Sequence, residues 1–311
     1  MRKLKFDLDV ASNALLCPNP SEWFAKSYIQ ENVAGNFRTI PGVKEETKIA
    51  KNVFNNLIKA AGCAWSPVDT VLDAEDIDVC KVDVMVQLCQ YDVESSFVSA
   101  KMAAGDANWQ EAEFLNHFWS ELQEATAEEL QLIRWNGDST LTGDTSLKVC
   151  DGYLVKLEAA TGATENTAFT AATFTSTNII DALVGTINSL PEAVKSRKKD
   201  VRIYMSETNA FHYAIATLGL NNNFNYTGEL EMSFAGYKIS IQPGMSDDYI
   251  VAGNMNSFAY AFDGEGDSKN LKIVNMIDTT AEPVLRARVG MKIGFHILND
   301  GAEVAYSKVG A

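Results

Sequence analysis

Residues 108–137 read NWQEAEFLNHFWSELQEATAEELQLIRWNG, the longest uninterrupted helical pattern in the chain. Asn108 can cap the first turn by accepting a backbone N–H, and Glu111 three residues on completes a capping-box spacing. Leu115, Phe118, Trp119, Leu122, Thr126, Leu130 and Ile133 recur at three- and four-residue steps and so share one face. Glu111, Glu113, Glu121, Glu124, Glu128 and Glu129 fall mostly off that stripe, and Arg134 comes in the last turn. Asn136-Gly137 predicts a left-handed stop. At about 1.5 Å per residue such a helix is roughly 40 Å long, beyond the usual ~10–14 residues of a globular helix. It needs a long partner surface or serves as a strut.

Working outward toward the N-terminus, Ile77–Leu88 alternates as a strand. Cys80, Val82, Val84, Val86 and Leu88 lie on one face, with Lys81, Asp83 and Gln87 on the other. Between strand and helix, Asp92 can cap a short helix ending at Gly105. Residues 42–66 carry Lys44, Lys48, Lys51 and Lys59 among Val, Ile and Phe, a pattern that fits a loose helix or a long hairpin. LDAEDID at 72–78 reads as a solvated acidic turn, since its carboxylates lack calcium-loop spacing. Residues 1–41 have weak periodicity, a CPNP at 17–20 and one short Ser21-capped patch, and read as an extended arm.

Toward the C-terminus, residues 137–154 form an irregular loop lacking both GxGxxG and GxxxxGK[ST]. A Thr-rich linker (159–176) leads to a helix capped by Ser176 or Thr177 and carrying Ile179, Ile180, Leu183, Val184, Ile187 and Leu190. Pro191 bends or restarts it. The strand Val201–Met205 and a Ser206-capped helix ending at Gly219 complete an α/β unit. Six strand segments follow: 234–245, 249–253, 258–262, 271–277, 284–297 and 302–309. In 284–297, Leu285, Ala287, Val289, Met291, Ile293, Phe295 and Ile297 face away from Arg286, Arg288, Lys292 and His296.

The 311 residues are 46% hydrophobic, ample for a large core, and carry a formal charge of −15. That charge argues against a phosphate-gripping nucleic-acid surface, for which Arg2-Lys3-Lys5 and Lys195–Lys199 are slight clusters. It is compatible with lying beside DNA without holding it. No apolar run approaches membrane-spanning length, so no membrane association is expected. Asp7 and Asp9 interrupt any signal-peptide core. Five scattered cysteines (Cys17, Cys63, Cys80, Cys89, Cys150) read as reduced, small hydrophobes in a reducing cytoplasm. His117, His212 and His296 have no ligand or nucleophile at a working spacing. Asp263–Ser268 is an acidic hairpin turn lacking EF-hand positions, and Asn225-Tyr226-Thr227 is a loop triplet. No catalytic, cofactor-binding or metal residue is expected, and no enzyme.

The order of elements, together with three local runs, resembles the major capsid proteins of tailed double-stranded DNA bacteriophages. The first run is Phe234–Met245 (FAGYKISIQPGM) followed by Tyr249–Gly264. The second is Ile203–Gly219, and the third is Arg286–His296. The resemblance covers essentially the whole chain and implies an α+β tailed-phage capsid fold. It implies an N-terminal arm (1–41), an extended loop with its flanking strand (42–90) and a peripheral domain (91–158 and 266–311) with a long spine helix at 108–135. An axial α/β domain would be 159–265. Its further implications are a virion protein assembled in the host cytoplasm into hexamers and pentamers of itself, around packaged double-stranded DNA bound without sequence specificity.

A separate scaffold protein is implied, because the chain starts almost directly at the arm; portal and decoration proteins are further implied partners. The family's cross-linking lysine matches none of Lys44, Lys48, Lys51 and Lys59. The alternatives are a bacterial nanocompartment shell with the same implied fold, another phage component such as a tail or decoration protein, or an enzyme of unknown type.

Overall fold

The computed structural model describes residues 36–54, 70–89, 112–143, 145–220, 232–263, 272–276 and 280–310. The chain enters through β1 (Arg38–Pro41) and then forms β2 (Glu46–Phe54) and β3 (Thr70–Asp78). β2 and β3 pair antiparallel from Glu46 opposite Asp78 to Phe54 opposite Thr70. The stretch 42–66 therefore contains the first strand of a hairpin. The acidic stretch 72–78, expected as a turn, is its return strand. Charge explains the correction. Lys48 lies opposite Asp76 with Nζ 3.2 Å from the carboxylate, and Lys51 takes the register position opposite Asp73, so lysines meet acids across the ladder.

After Val79 comes β4 (Cys80–Cys89), whose burial alternates residue by residue as the sequence predicts. The long helix, α1, spans Ala112–Asn136. Its expected cap, Asn108 with Glu111, lies outside the described residues. Trp119, Thr126, Leu130 and Ile133 are buried, while Glu121, Glu124, Glu128 and Glu129 are exposed. The expected left-handed stop is absent. Gly137 has no positive φ, and its N–H donates to the Ile133 carbonyl at 2.9 Å, an ordinary helical bond. Glycine is required there for another reason: a Cβ would sit 2.1 Å from the carbonyl oxygen of Cys150.

The remaining elements are α2 (Tyr153–Ala159), β5 (Thr164–Glu165), α3 (Ile179–Ser189), α4 (Glu192–Lys195), β6 (Val201–Met205) and α5 (Glu207–Leu220). They continue with β7 (Ser233–Phe234), β8 (Tyr237–Ile241), β9 (Tyr249–Asn254), β10 (Phe258–Phe262), β11 (Lys272–Asn275), β12 (Val284–Ile297) and β13 (Val304–Lys308). The Asn209 N–H donates to Ser206 Oγ at 3.2 Å, the cap predicted for α5. For α3 the residue before the helix is Asn178. Its side chain accepts from the Thr175 N–H and donates to the Thr173 carbonyl instead of capping.

A five-stranded sheet runs β1-β10-β12-β11. β4 lies along the opposite edge of β12, since residues 285–288 pair with β4 and β11 at once. A six-stranded sheet runs β5-β13-β9-β6-β8-β7. The chain crosses between them three times, after β4, after β9 and after β12. β10, expected with the α/β unit, pairs with β12, and β13, expected with the closing strands, pairs with β9 and β5. Residues 36–41, expected in the arm, also belong to the body: Phe37 is in the main core and β1 pairs parallel with β10. That core joins Leu130, Ile133 and Trp135 of α1 to Val289, Met291, Ile293, Phe295 and Ile297 of β12. A second core packs α3 and α5 on β6, β8 and β9.

One cysteine expectation fails. Cys80 and Cys150 are disulfide-bonded, with Cα atoms 5.8 Å apart and a sequence separation of 70. The loop after α1 turns back so that the Gly152 N–H donates to the Gly137 carbonyl at 2.8 Å, carrying Cys150 to the start of β4. Cys89 is a free thiol, and Cys17 and Cys63 lie outside the described residues.

The base of the β2–β3 ribbon presses on β12 at Gly294, where a Cβ would lie 2.2 Å from the Asp78 carbonyl oxygen. Gly294→Ala must displace backbone on one side or the other. The expected loss is about 1–3 kcal/mol, read as a lower urea midpoint with an unchanged m-value.

Candidate functional site

The most connected point in the molecule is an aromatic junction. Phe37 stacks between Tyr153 (5.5 Å between centroids, 10° between planes) and Tyr204 (5.4 Å, 15°), with Trp135 and Phe258 edge-on at 6.0 and 6.3 Å. The Tyr153 hydroxyl donates to the Ala259 carbonyl at 2.9 Å and the Tyr204 hydroxyl to the Asn36 carbonyl at 2.6 Å. Burial pushes both phenols up in pKa, so both remain donors. Arg134, only 4% exposed, sets its guanidinium 5.6 Å from the Phe37 centroid. Burial lowers its pKa, with the electrostatic influence of Tyr260 and Tyr153 opposing the shift.

Two residues on from Arg134, Asn136 bolts the end of α1 to the six-stranded sheet. Its Nδ2 donates to the Gly244 carbonyl, and its Oδ1 accepts from the Ser246 N–H at 3.1 Å. Gly244 has φ +78°, the left-handed position of the Pro-Gly turn read from the sequence.

The second feature is the β2–β3 ribbon. Its root is fixed by Ile77, buried with Val43, Ala259, Ala261 and Leu298. Glu75 accepts from the Asn299 and Asp300 N–H groups at 2.9 and 3.2 Å. Those two residues are left-handed (φ 58° and 51°), so the carboxylate steadies a strained turn between β12 and β13. Beyond the root the ribbon pairs with no third strand among the described residues. Nine pairs at about 3.4 Å each make it about 30 Å long. Two-stranded ribbons of this kind are marginal in water without a packing partner.

The sequence-selected titratable residues do not converge. The His117 side chain lies outside the described residues. His212 sits on α5 beside Phe211, with rings 6.5 Å apart. His296 lies in β12, its pKa lowered first by burial and then by Lys156, against Glu75, Asp78 and Asp300. No group of three potential metal ligands occurs among the described residues. No helix among them is long and apolar enough to cross a membrane.

The basic run 195–199 is tied to structure. Lys195 pairs with Glu192, Arg197 with Glu303 at 3.1 Å, and Lys198 donates to the Ala235 carbonyl. Arg2, Lys3 and Lys5 lie outside the described residues, as do Asn225-Tyr226-Thr227 and 264–268. Asp263, expected in a solvated turn, is buried with its carboxylate 3.5 Å from Lys292. Glu158 accepts from Tyr249 and Lys308, tying α2 to β9 and β13. Its carboxyl is held low by those partners, while burial first and then Glu158 push Tyr249 up to about 12.

What the surface offers is apolar contact area: Met85 (69% exposed) on β4, Phe211 (63%) and Ile215 one turn apart on α5, and Val274 on β11. The key residues missed by sequence reading are Phe37, Glu75, Arg134 and Asn136. Arg134 and Asn136 stood in the long-helix segment and Glu75 in the acidic stretch 72–78, read there as a turn, whereas Phe37 stood in no segment singled out.

No protein-family model matches the chain, and no curated protein matches it by sequence. Solved structures do match in fold. A chain of the satellite phage P4 procapsid, determined with its size determination protein, aligns at TM-score 0.59 and 9% identity, over 99% of this chain and 94% of that one. A chain from the capsid of an empty GTA particle aligns at 0.56 and 16%, over 89% and 88%. One from the capsid of the myovirus XM1 aligns at 0.52 and 12%, over 88% and 90%. The chain is a mixed α+β protein with the fold of these capsid structures.

Phe37→Ala removes the central ring of the junction and leaves a cavity between the sheets. A loss of about 3–5 kcal/mol is expected, measured by urea unfolding followed through tryptophan fluorescence. For His296, whose folded-state pKa is below the ordinary 6.5, folding excludes the proton. Its contribution is complete above pH 6.5 and is lost as pH falls from there through the folded-state value. The urea midpoint should drop between pH 7.5 and 5.5, and His296→Gln should shrink that drop; an undiminished drop in the variant places the effect elsewhere.

Proposed function

We propose that this chain is a major capsid protein, a tile that assembles with copies of itself into the closed icosahedral head of a tailed double-stranded DNA phage. The observation that carries the reading is fold likeness to capsid chains over nearly the full length of both partners. The role is structural, and no reaction is assigned to it. In this reading the part of residues 1–41 ahead of β1 acts as the arm and 42–90 as the extended loop, with 91–158 and 266–311, joined by β1 and β10, as the peripheral domain and 159–265, joined by β13, as the axial domain of hexamers and pentamers. A scaffold protein, a portal and decoration proteins are the expected partners, and assembly takes place in the host cytoplasm.

The physics of the tile supports this. A ribbon that pairs with no third strand among the described residues gains partner surface when it lies on a neighbour. The exposed Phe211, Ile215, Met85 and Val274 offer further apolar contacts. Each interface can be modest, because closing a ring converts later contacts into intramolecular ones. The net charge of −15 suits a wall that confines DNA without gripping it.

Electron microscopy of purified protein co-expressed with its scaffold should show closed shells hundreds of ångströms across, and native particles should contain double-stranded DNA. A sharper arm shortens the ribbon: replacing residues 52–72 with Asn-Gly joins Lys51 to Asp73, which are cross-strand neighbours. Glu75 and Ile77 stay in place, so the variant should keep the parent's urea midpoint but form no shells. Normal shells from it would remove the ribbon from the assembly mechanism, and a stable monomer under all conditions would refute the capsid reading.

A further inference from the structure

We propose that Cys80 and Cys150 form a redox modification site, a covalent staple that closes after folding and fixes the root of the β2–β3 ribbon to the loop behind the long helix. Cys80 opens β4, and Val79 is the single residue between it and the end of β3. Cys150 ends the loop that follows α1. The backbone there is packed so closely that a Cβ on Gly137 or Gly152 would meet main-chain atoms at 2.1 and 2.6 Å. Both cysteines are therefore held in place by the fold. Their Cα separation of 5.8 Å falls within the span a disulfide requires, so closure needs no backbone movement.

Access is asymmetric. Cys150 is buried and Cys80 half-buried, so Cys80 carries the sulfur that an oxidant or reductant in solution reaches first. Cys89 stands at the other end of the same strand, about 30 Å away at ~3.4 Å per residue, and does not compete. With glutathione disulfide as the oxidant, the Cys80 thiolate attacks one of its sulfurs and expels a glutathione thiolate. The Cys150 thiolate then attacks Cys80 Sγ and expels the second glutathione. Two electrons pass from the protein to the oxidant, and the two protons released by the protein thiols end on the two glutathiones.

The staple closes a ring that contains β4 and the whole of α1. It takes entropy from the unfolded chain and anchors the ribbon beside its one-residue hinge. In a reducing cytoplasm the thiols stay open and in an oxidising medium they join. Its value to a shell that leaves the cell rests on the capsid reading, whereas the bond itself does not.

The test uses the full-length chain equilibrated in glutathione buffers from reducing to oxidising, then alkylated, digested and analysed by mass spectrometry, with thermal unfolding in parallel. The Cys80–Cys150 peptide pair should grow with oxidising poise, and Tm should rise by on the order of 5 °C. Cys80→Ser should unfold at the reduced protein's temperature in every buffer. Alkylated Cys80 and Cys150 persisting in the oxidising buffer, or cross-linking with no change in Tm, overturns the proposal. Cys80→Ser should still assemble under reducing conditions, so a failed staple and a failed capsid reading give different results.

Discussion

The fold depends on one ring having two faces. Phe37 stacks on Tyr153 from α2 and on Tyr204 from β6, so a single side chain ties the helix after the long-helix loop to a strand of the six-stranded sheet. Trp135 at the end of α1 and Phe258 at the start of β10 close the remaining sides. Aromatic pairs of this geometry are worth about 0.5–1.5 kcal/mol each beyond the area they bury, and four converge on one ring. The two tyrosine hydroxyls donate to backbone carbonyls at Ala259 and Asn36, so the cluster also fixes where the entering chain and β10 run. The relation between the two sheets is therefore set by a residue lying before the first strand.

Arg134 is the term that works against this core. An ion taken out of water carries a penalty of several kcal/mol, and a ring face returns about 2 kcal/mol when the pair is desolvated. Its Nε has no hydrogen-bond partner among the described residues, and the lowered pKa shows that desolvation outweighs the attraction. Its position follows from the helix. With Leu130, Ile133 and Trp135 buried, residue 134 also faces inward as the loop through Gly137 and Gly152 closes over the end of α1. The acidic face from Glu121 to Glu129 ends a turn earlier, and its glutamates stay exposed among the described residues.

That contrast explains what the sequence could express. α1, β4, β12 and the α3-to-α5 unit rest on local periodicity, and each lies where its pattern predicts. The strand 70–78 was hidden because its acids read as solvent-seeking until β2 sets Lys51 opposite Asp73 and Lys48 opposite Asp76, and the Asn299–Asp300 turn takes Glu75. The disulfide was hidden because Cys80 and Cys150 meet only through a loop whose path depends on close glycine packing. Gly137 carried a true signal with the wrong cause, since glycine serves crowding as well as left-handed turns. Phe37 had no periodic context, and its role comes from residues more than a hundred positions away.

The charge on the chain sets the last constraint on how copies can meet. At −15 each copy repels another at long range, but screening limits that repulsion to about 8 Å at physiological salt. The β2–β3 ribbon, about 30 Å long, is several screening lengths from root to end. β2 carries Lys48 and Lys51 beside Glu46, whereas β3 carries Asp73, Glu75, Asp76 and Asp78, so the ribbon is itself net negative. Its length lets its far end reach a second copy beyond the screened field of the body. Attraction is then short-ranged and supplied by contact, which favours many small interfaces over one large one. The Glu75 clamp and the buried Ile77 complement that reach by holding the root firmly, so that whatever the far end gains by contact is transmitted to the body.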